Sequence, residues 1–397
     1  MRRKQLFYLL LFLVAFLDSI SALFDSYLVN DLGGDPFGYV NAFFISGLFV
    51  CVFMVITFSV IKPFGSFIDP AFRGFRLPVK KEFGYHVVAA LTNSVSTVAL
   101  MALFVFYPDP STVLPFVQVS ILFLLIIESF VEKNTPTLAE ISASVTVTIG
   151  AIMASMSGGG IDLGAMALVF LVFCPSYAVY TIYQRKLKSF TVDGAPTDAI
   201  NIRVWNMIFT AIFTSVIVFV YSTEVFVDSF SFLADNFVVI TSVAIVSTAA
   251  YTLFIRALGL SHASVAQAVR SSTLIFSLAI SFALGILFFP DLSFALLKFM
   301  GIILIIIGIV SLAFTEVRAF LLLNLKHGYT PSQVMGEMWD INGVDSVSVT
   351  AGEYDLIAVV RTRTLGKSYE NIVAKLEGVE GIEDYTYCPV LREWEDI

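Results

Sequence analysis

The chain has 397 residues, 58% of them hydrophobic and 14% charged, with a mean hydropathy of +0.88. That composition excludes one core buried from water and fits a chain that crosses a membrane several times. The net charge of -8 is uneven: the 80 residues from Arg318 carry 7 basic and 13 acidic side chains, against 16 and 18 in the 317 before them, so the tail is a poor partner for nucleic acid or anionic lipid.

From the N-terminus, the basic start Met1-Arg2-Arg3-Lys4 leads into an apolar stretch that runs to about Leu28 without a small-residue cleavage pattern, so it reads as an uncleaved first span. A span needs about 20 apolar residues to cross about 30 Å of hydrocarbon. Ten stretches qualify: 5–28, 38–61, 84–107, 112–131, 138–157, 162–184, 199–221, 235–257, 262–288 and 293–316. Basic residues collect on the cytoplasmic side. Arg2, Arg3, Lys4, Lys62, Arg73, Arg76, Lys80, Lys81, Lys133, Arg185, Lys186, Lys188, Arg256, Arg318 and Lys326 fall on one set of alternating loops or at their edges, whereas the loops around Asp31 to Asp35, Asp109, Gly158 to Asp162, Glu224 to Asp235 and Asp291 have none. The expectation is a multi-pass protein of the cell membrane with both termini cytoplasmic.

Divided at the basic loop 184–197, ten spans make two sets of five in opposite orientations, repeats of about 1–157 and 162–316. This is the inverted-repeat plan of many secondary transporters, which bind substrate near the midplane where the halves meet. A weak echo supports it: Ile127-Glu-Ser-Phe-Val-Glu-Lys-Asn-Thr-Pro-Thr-Leu with Gly150-Ala-Ile-Met-Ala, against Gly285-Ile-Leu-Phe-Phe-Pro-Asp-Leu-Ser with Gly301 and Gly308-Ile-Val-Ser-Leu. These stretches, with Tyr251-Thr-Leu-Phe-Ile-Arg-Ala-Leu-Gly-Leu-Ser-His-Ala-Ser-Val-Ala-Gln-Ala, resemble the drug/metabolite transporter superfamily in its EamA-like branch. The resemblance covers residues 1–317 and implies a ten-helix fold with a central cavity and a small-metabolite cargo, often an amino acid or relative. The family usually places a Glu where Glu132 stands, but the second half has Phe289-Pro290-Asp291, which favours a structural helix-end role for Glu132.

Ionisable groups deep in a span are costly and are functional candidates by default. Asp18 shares a face of the first span with Ser21 and Asp25; Arg270, at comparable depth in the ninth, shares one with Gln267, Ser271 and Ser277. Two readings fit. Arg270 could receive a substrate carboxylate as a bidentate donor while Asp18 receives an ammonium group or coupling proton; alternatively the two form a structural ion pair, or Asp18 faces an aqueous vestibule. Tyr177, Tyr180, Thr181 and Gln184 on the sixth span, Asn93, Ser94 and Thr97 on the third, and Gln118 on the fourth are further candidates for the path, although such groups in membrane helices more often bond backbone or a neighbouring helix. Glu128 reads either as a proton site or as a snorkelling carboxylate. Cys51, Cys174 and Cys388 lack metal spacing, His86, His262 and His327 lack partners for a metal or triad, and Gly366-Lys367-Ser368 lacks the earlier glycine of a phosphate loop. Neither an enzyme nor a cofactor is expected.

The tail, 318–397, reads as β-α-β-β-α-β. Ala319 to Leu325 forms a strand or prolongs the tenth helix; Thr330-Pro331 starts a helix; Val347 to Thr350 and Leu356 to Val360 are strands about the turn Ala351-Gly352-Glu353; Lys367 to Leu376 is a helix and Ile382 to Leu391 a strand. With the echo of Ile341-Asn-Gly-Val-Asp-Ser-Val-Ser-Val in Val379-Glu-Gly-Ile-Glu-Asp-Tyr-Thr-Tyr, this order is the ferredoxin-like α+β unit. Asn342-Gly-Val-Asp-Ser-Val-Ser-Val-Thr-Ala-Gly-Glu-Tyr-Asp-Leu-Ile and Glu380-Gly-Ile-Glu-Asp-Tyr-Thr closely resemble the RAM domain, the ligand-sensing half of leucine- and asparagine-responsive regulators. That resemblance implies a homodimer through the sheets and an amino-acid effector near Gly352, Tyr354 and Asp355; without the regulators' DNA-binding helix-turn-helix, no transcriptional role carries over. The other reading is a dimerisation module that binds nothing.

The expected function is secondary transport of a small polar metabolite, an amino acid or derivative, by alternating access in the lipid bilayer, with the tail sensing or dimerising. A receptor that binds without transport and a lipid-type carrier are the alternatives.

Overall fold

The computed structural model describes residues 3–30, 35–107, 110–131, 138–155, 162–192, 195–260, 263–283, 292–313, 317–339, 341, 344–362 and 375–389. Its contacts divide the chain into two units, Met1–Glu128 with Ser142–Val310, and Ser129–Ile141 with Ser311–Ile397.

The first unit is helical. Among the described residues, seven helices are long and apolar enough to cross a membrane: Gln5–Val29, Pro36–Val60, Lys80–Phe106, Val113–Val131, Leu163–Lys188, Ala199–Tyr221 and Phe237–Leu258. The described parts of the stretches at 138–157 and 293–316 are shorter apolar helices, Ile141–Ala154 and Leu296–Ser311. In chain order the helices of this unit are α1 (Arg3–Asn30), α2 (Pro36–Val60), α3 (Lys62–Ile68), α4 (Lys80–Phe106), α5 (Pro110–Gln118), α6 (Ser120–Val131), α7 (Leu138–Ser155), α8 (Leu163–Ala167), α9 (Cys174–Lys188), α10 (Ala199–Tyr221), α11 (Thr223–Asp235), α12 (Phe237–Leu258), α13 (Ala263–Arg270), α14 (Thr273–Ala283) and α15 (Leu292–Ala313). A short hairpin, β1 (Thr191–Val192) with β2 (Ala195–Pro196), follows α9.

Local chemistry sets the helix ends. Asp35, Asp162 and Asp198 accept hydrogen bonds from the first-turn amides of Phe37, Ala165 and Asn201 at 2.8, 2.8 and 2.7 Å, satisfying donors that have no partner within the helix. The buried Asp198 carboxyl is held above the usual carboxylate range by desolvation, which outweighs its bonds to Asn201. Between α8 and α9, Leu168–Phe173 is π-helical, with the Cys174 amide bonded to Val169 O. Pro175 follows directly; lacking an N–H, it cannot complete the regular ladder, and the wider turn accommodates it.

Two stretches expected to be continuous are broken. The fourth divides at Val119, where the Ser120 hydroxyl bonds Val117 O at 2.5 Å. The ninth divides at Ser271-Ser272, where the Ser271 hydroxyl bonds Gln267 O at 2.9 Å and the Thr273 hydroxyl bonds Arg270 O at 2.7 Å. Such hydroxyls offer the carbonyls an alternative to the helical ladder. Residues 284–291, the end of this stretch, lie outside the described residues, as does Glu132.

α1 packs on α12, α13 and α14; α2 on α10, α11 and α12; α4 on α9 and α10. The halves of the sequence echo meet elsewhere: a Cβ on Gly150 would stand 2.6 Å from Gly301 O, and one on Gly301 2.5 Å from Ala154 N. Only glycine permits α7 and α15 this approach, the small-residue contact typical of membrane helices.

In the second unit, β3 (Val317–Leu325), α16 (Pro331–Trp339), β4 (Val344–Val349), β5 (Leu356–Thr362) and β6 (Ile382–Pro389) occur in chain order. The four strands form an antiparallel sheet of order β4-β5-β3-β6. Leu321 and Leu323 alternate into a core with Val334 and Met338 of α16 and with Leu376 and Val379, and Ala319, two residues before Leu321, is fully buried, as the two-residue period requires. Val317–Leu325 is thus a strand and not a prolonged helix. Of the helix expected at 367–376 only Lys375 and Leu376 are described, and both are helical.

Candidate functional site

The site is a cavity inside the helical unit, enclosing about 960 Å³ of non-protein space, open solvent at its mouth included. Its wall takes residues from the second halves of α1 (Asp18, Ser21, Asp25) and α4 (Ser96, Leu100, Met101) and from the first half of α2 (Phe43, Phe44). It therefore lies toward the end of the bundle at which α1 ends.

Six of the seven residues expected to contact substrate line this wall: Asp18, Asn93, Gln118, Tyr177, Gln267 and Arg270. Tyr180 stands behind it, fully buried, its ring 6.1 Å from that of Tyr177 and 6.2 Å from that of Tyr251. The effector residues belong to the other unit. Gly352 is exposed with open space around it, and Asp355 is tied to backbone, accepting from Leu325 N at 2.8 Å. The Thr350 hydroxyl bonds Tyr354 O across the same turn.

Asp18 and Arg270 pair with each other, Oδ2 to Nε at 2.5 Å, with side chains 14% and 8% exposed. Arg270 ends α13, where a cation is favoured by the helix dipole. Its NH1 donates to the Tyr177 hydroxyl at 2.5 Å, which in turn donates to Gln267 Oε1 at 3.3 Å, and its guanidinium stands over the rings of Tyr251 (4.8 Å) and Phe254 (4.4 Å). The Ser271 hydroxyl donates to Gln118 Oε1, so the breaks at Val119 and at Ser271-Ser272 meet beside the cavity.

Two other charges line the wall that were not candidates as receptors. Arg203 of α10 is 1% exposed, with its guanidinium 4.8 Å from the centre of the Tyr251 ring. Its Nε has no hydrogen-bond partner, and no carboxylate pairs with it among the described residues. Asp25 of α1 accepts the Tyr39 hydroxyl. Asn206, one turn beyond Arg203, buries an amide with neither polar atom satisfied, as does Gln184. Ser94 and Thr181 serve the scaffold, Ser94 bonding Ala90 O and Thr210 O and Thr181 bonding Tyr177 O, and Asn93 at the wall also bonds the Thr210 hydroxyl.

The opposite end of the bundle is closed. Below the cavity Leu11, Val14, Leu124, Ala178, Phe254 and Ala266 pack in one apolar cluster. Beyond it, two buried carboxylates tie helices together. Glu128 accepts from Arg185 NH1 at 2.6 Å and from the first amides of α13, Ala263 N at 3.0 Å and Ser264 N at 3.3 Å. Asp69 accepts from Lys188 Nζ and Ala199 N, both at 2.7 Å. Glu128 is thus a helix cap and ion-pair partner. Among the described residues no group of His, Cys, Asp and Glu could hold a metal ion.

No protein-family model and no curated protein matches the chain. Solved structures do. One, described only as "Crystal structure of protein", is 14% identical with a TM-score of 0.52 over 79% of this chain and 97% of its own, a likeness of fold alone. A second, described as PH0061, is 19% identical over 32% of this chain and 78% of its own, with a TM-score of 0.19 that supports no comparison.

Proposed function

We propose that the chain is a secondary transporter of a small polar metabolite, an amino acid or derivative, working by alternating access. The observation that carries this reading is the meeting of two broken helices, the fourth stretch and the ninth, at Gln118 and Ser271 beside a polar cavity. In a 5+5 inverted repeat these are corresponding helices, and interrupted helices in corresponding positions mark the substrate site of many transporters. The Gly150–Gly301 contact between the fifth and tenth stretches is the matching relation for another pair. Ten spans fit this plan and the EamA-like resemblance.

With both termini cytoplasmic, the cavity faces outward and the Glu128–Arg185 and Asp69–Lys188 pairs close the cytoplasmic side. Transport would open these and close the outer mouth. The strand order of the tail suits a ferredoxin-like RAM-type domain, whose sheet leaves Phe320, Leu322, Ile357 and Val359 on the face away from its helices. That face would join two tails, and an amino acid bound near Gly352 and Tyr354 would bias the transport cycle if it binds the two states unequally. In sequence, three residues separate Ala313 of α15 from Val317 of β3.

The test is exchange in liposomes loaded with unlabelled amino acid: labelled amino acid outside should accumulate transiently. Binding in detergent without such accumulation would assign the protein to receptors instead.

A further inference from the structure

The charges on the cavity wall divide into a closed pair and two open ends. Asp18 and Arg270 neutralise each other at 2.5 Å, and Arg270 spends a further donor on Tyr177. Neither is free to meet a substrate without breaking that pair. Arg203 and Asp25 line the same cavity, and among the described residues neither has an oppositely charged partner. Asp25 has the Tyr39 hydroxyl, a neutral donor, and Arg203 has the Tyr251 ring and an unsatisfied Nε. Buried charges without partners are costly, and an arginine cannot escape the cost by losing its proton. A site that keeps a guanidinium and a carboxyl group without charged partners among the described residues, at the wall of one cavity, is complementary to a ligand that carries both charges.

We infer that Arg203 receives the carboxylate and Asp25 the ammonium group of a zwitterionic substrate, and that the Asp18–Arg270 pair fixes α1 against α13. The inference rests on the transport reading for its substrate class and reassigns the receptor roles within it. The guanidinium offers a planar fork that matches a carboxylate, and its stacking on Tyr251 holds the fork in place. The wall also carries Phe43, Phe44, Leu100, Met101 and Phe173, which suits an amino acid with an apolar side chain.

The experiment screens the twenty amino acids for binding to detergent-purified full-length protein and then measures three probes: L-phenylalanine, phenethylamine, which lacks the carboxylate, and 3-phenylpropionate, which lacks the amine. Wild type should bind the zwitterion most tightly. Arg203→Gln should weaken phenylalanine roughly 10- to 100-fold, the loss expected for one charged hydrogen-bonding partner, and leave phenethylamine unchanged. Asp25→Asn should weaken phenylalanine and leave phenylpropionate unchanged. Equal weakening of all three probes by either variant, or no weakening, would overturn the assignment. If Arg203→Gln does not fold, Arg203→Lys keeps the charge without the fork: a loss confined to the two carboxylates supports the assignment, and unchanged binding of all three overturns it. If wild type binds none of the twenty amino acids, the amino-acid reading itself fails; if it binds them and the variants misbehave, only the receptor roles fail.

Discussion

Asp18→Asn removes the charge that faces Arg270 while keeping a similar shape and one acceptor for its Nε. The guanidinium would remain charged and buried, with Tyr177 and two aromatic rings as company. Breaking a buried pair by removing one partner costs about 3–5 kcal/mol, against about 0–1 kcal/mol for a pair in water. Side chains 14% and 8% exposed place this pair with the buried class; the retained acceptor puts the cost near the lower figure, about 3 kcal/mol. Arg270→Gln should cost a similar amount, and the double variant less than the sum, because no charge is then left alone. Thermal unfolding in detergent reads the cycle: each single variant should lose on the order of 5–10 °C, with the double variant recovering part of it. Single variants within about 1 kcal/mol of wild type, or fully additive losses, would show the pair to be screened by water and refute the scaffold role argued for it.

Other consequences are separately testable. Glu128→Gln should remove one ion-pair partner of Arg185 and weaken the start of α13, lowering the melting temperature and raising the labelling of a cysteine placed at Ser264 by a membrane-impermeant reagent from the side at which α1 begins; unchanged labelling would deny it a role in closure. Gly301→Leu should force α7 from α15, since even a Cβ meets backbone at 2.5 Å, and cost several degrees of melting temperature, whereas Gly84→Leu, with open space around it, should not. Phe320→Arg should convert a dimer to a monomer by light scattering if the open face of the tail sheet is the interface; a dimer that survives places the interface elsewhere.

The parts of the site legible in the sequence were those with a cost visible in one dimension. Asp18 and Arg270 stand out because ionisable groups within apolar runs demand an explanation, and their equal depth suggested that they could meet. Arg203 carries the same charge but lies only four residues after Ala199, roughly 6 Å at helical rise, too near the start of its helix to stand out by depth. Only packing shows that it is 1% exposed. The helix breaks were hidden because neither Val119 nor Ser271 is a glycine or proline, and hydroxyls that bond carbonyls leave no mark on hydropathy. Lys188 counted toward orientation as a loop residue, yet its ammonium is buried on Asp69 and Thr197 O, a partnership 119 positions away in sequence. The tail was easier: alternating Ala319, Leu321 and Leu323 gave the strand, and the turn at Gly352 separated β4 from β5.

The central claim is that this cavity moves an amino acid across the membrane, and exchange in liposomes tests it most directly. With unlabelled L-phenylalanine inside and labelled L-phenylalanine outside, wild-type protein should accumulate label transiently above the level of protein-free liposomes, and Arg203→Gln should abolish the overshoot. Phenylalanine that binds in detergent but gives no overshoot in wild-type liposomes would contradict transport.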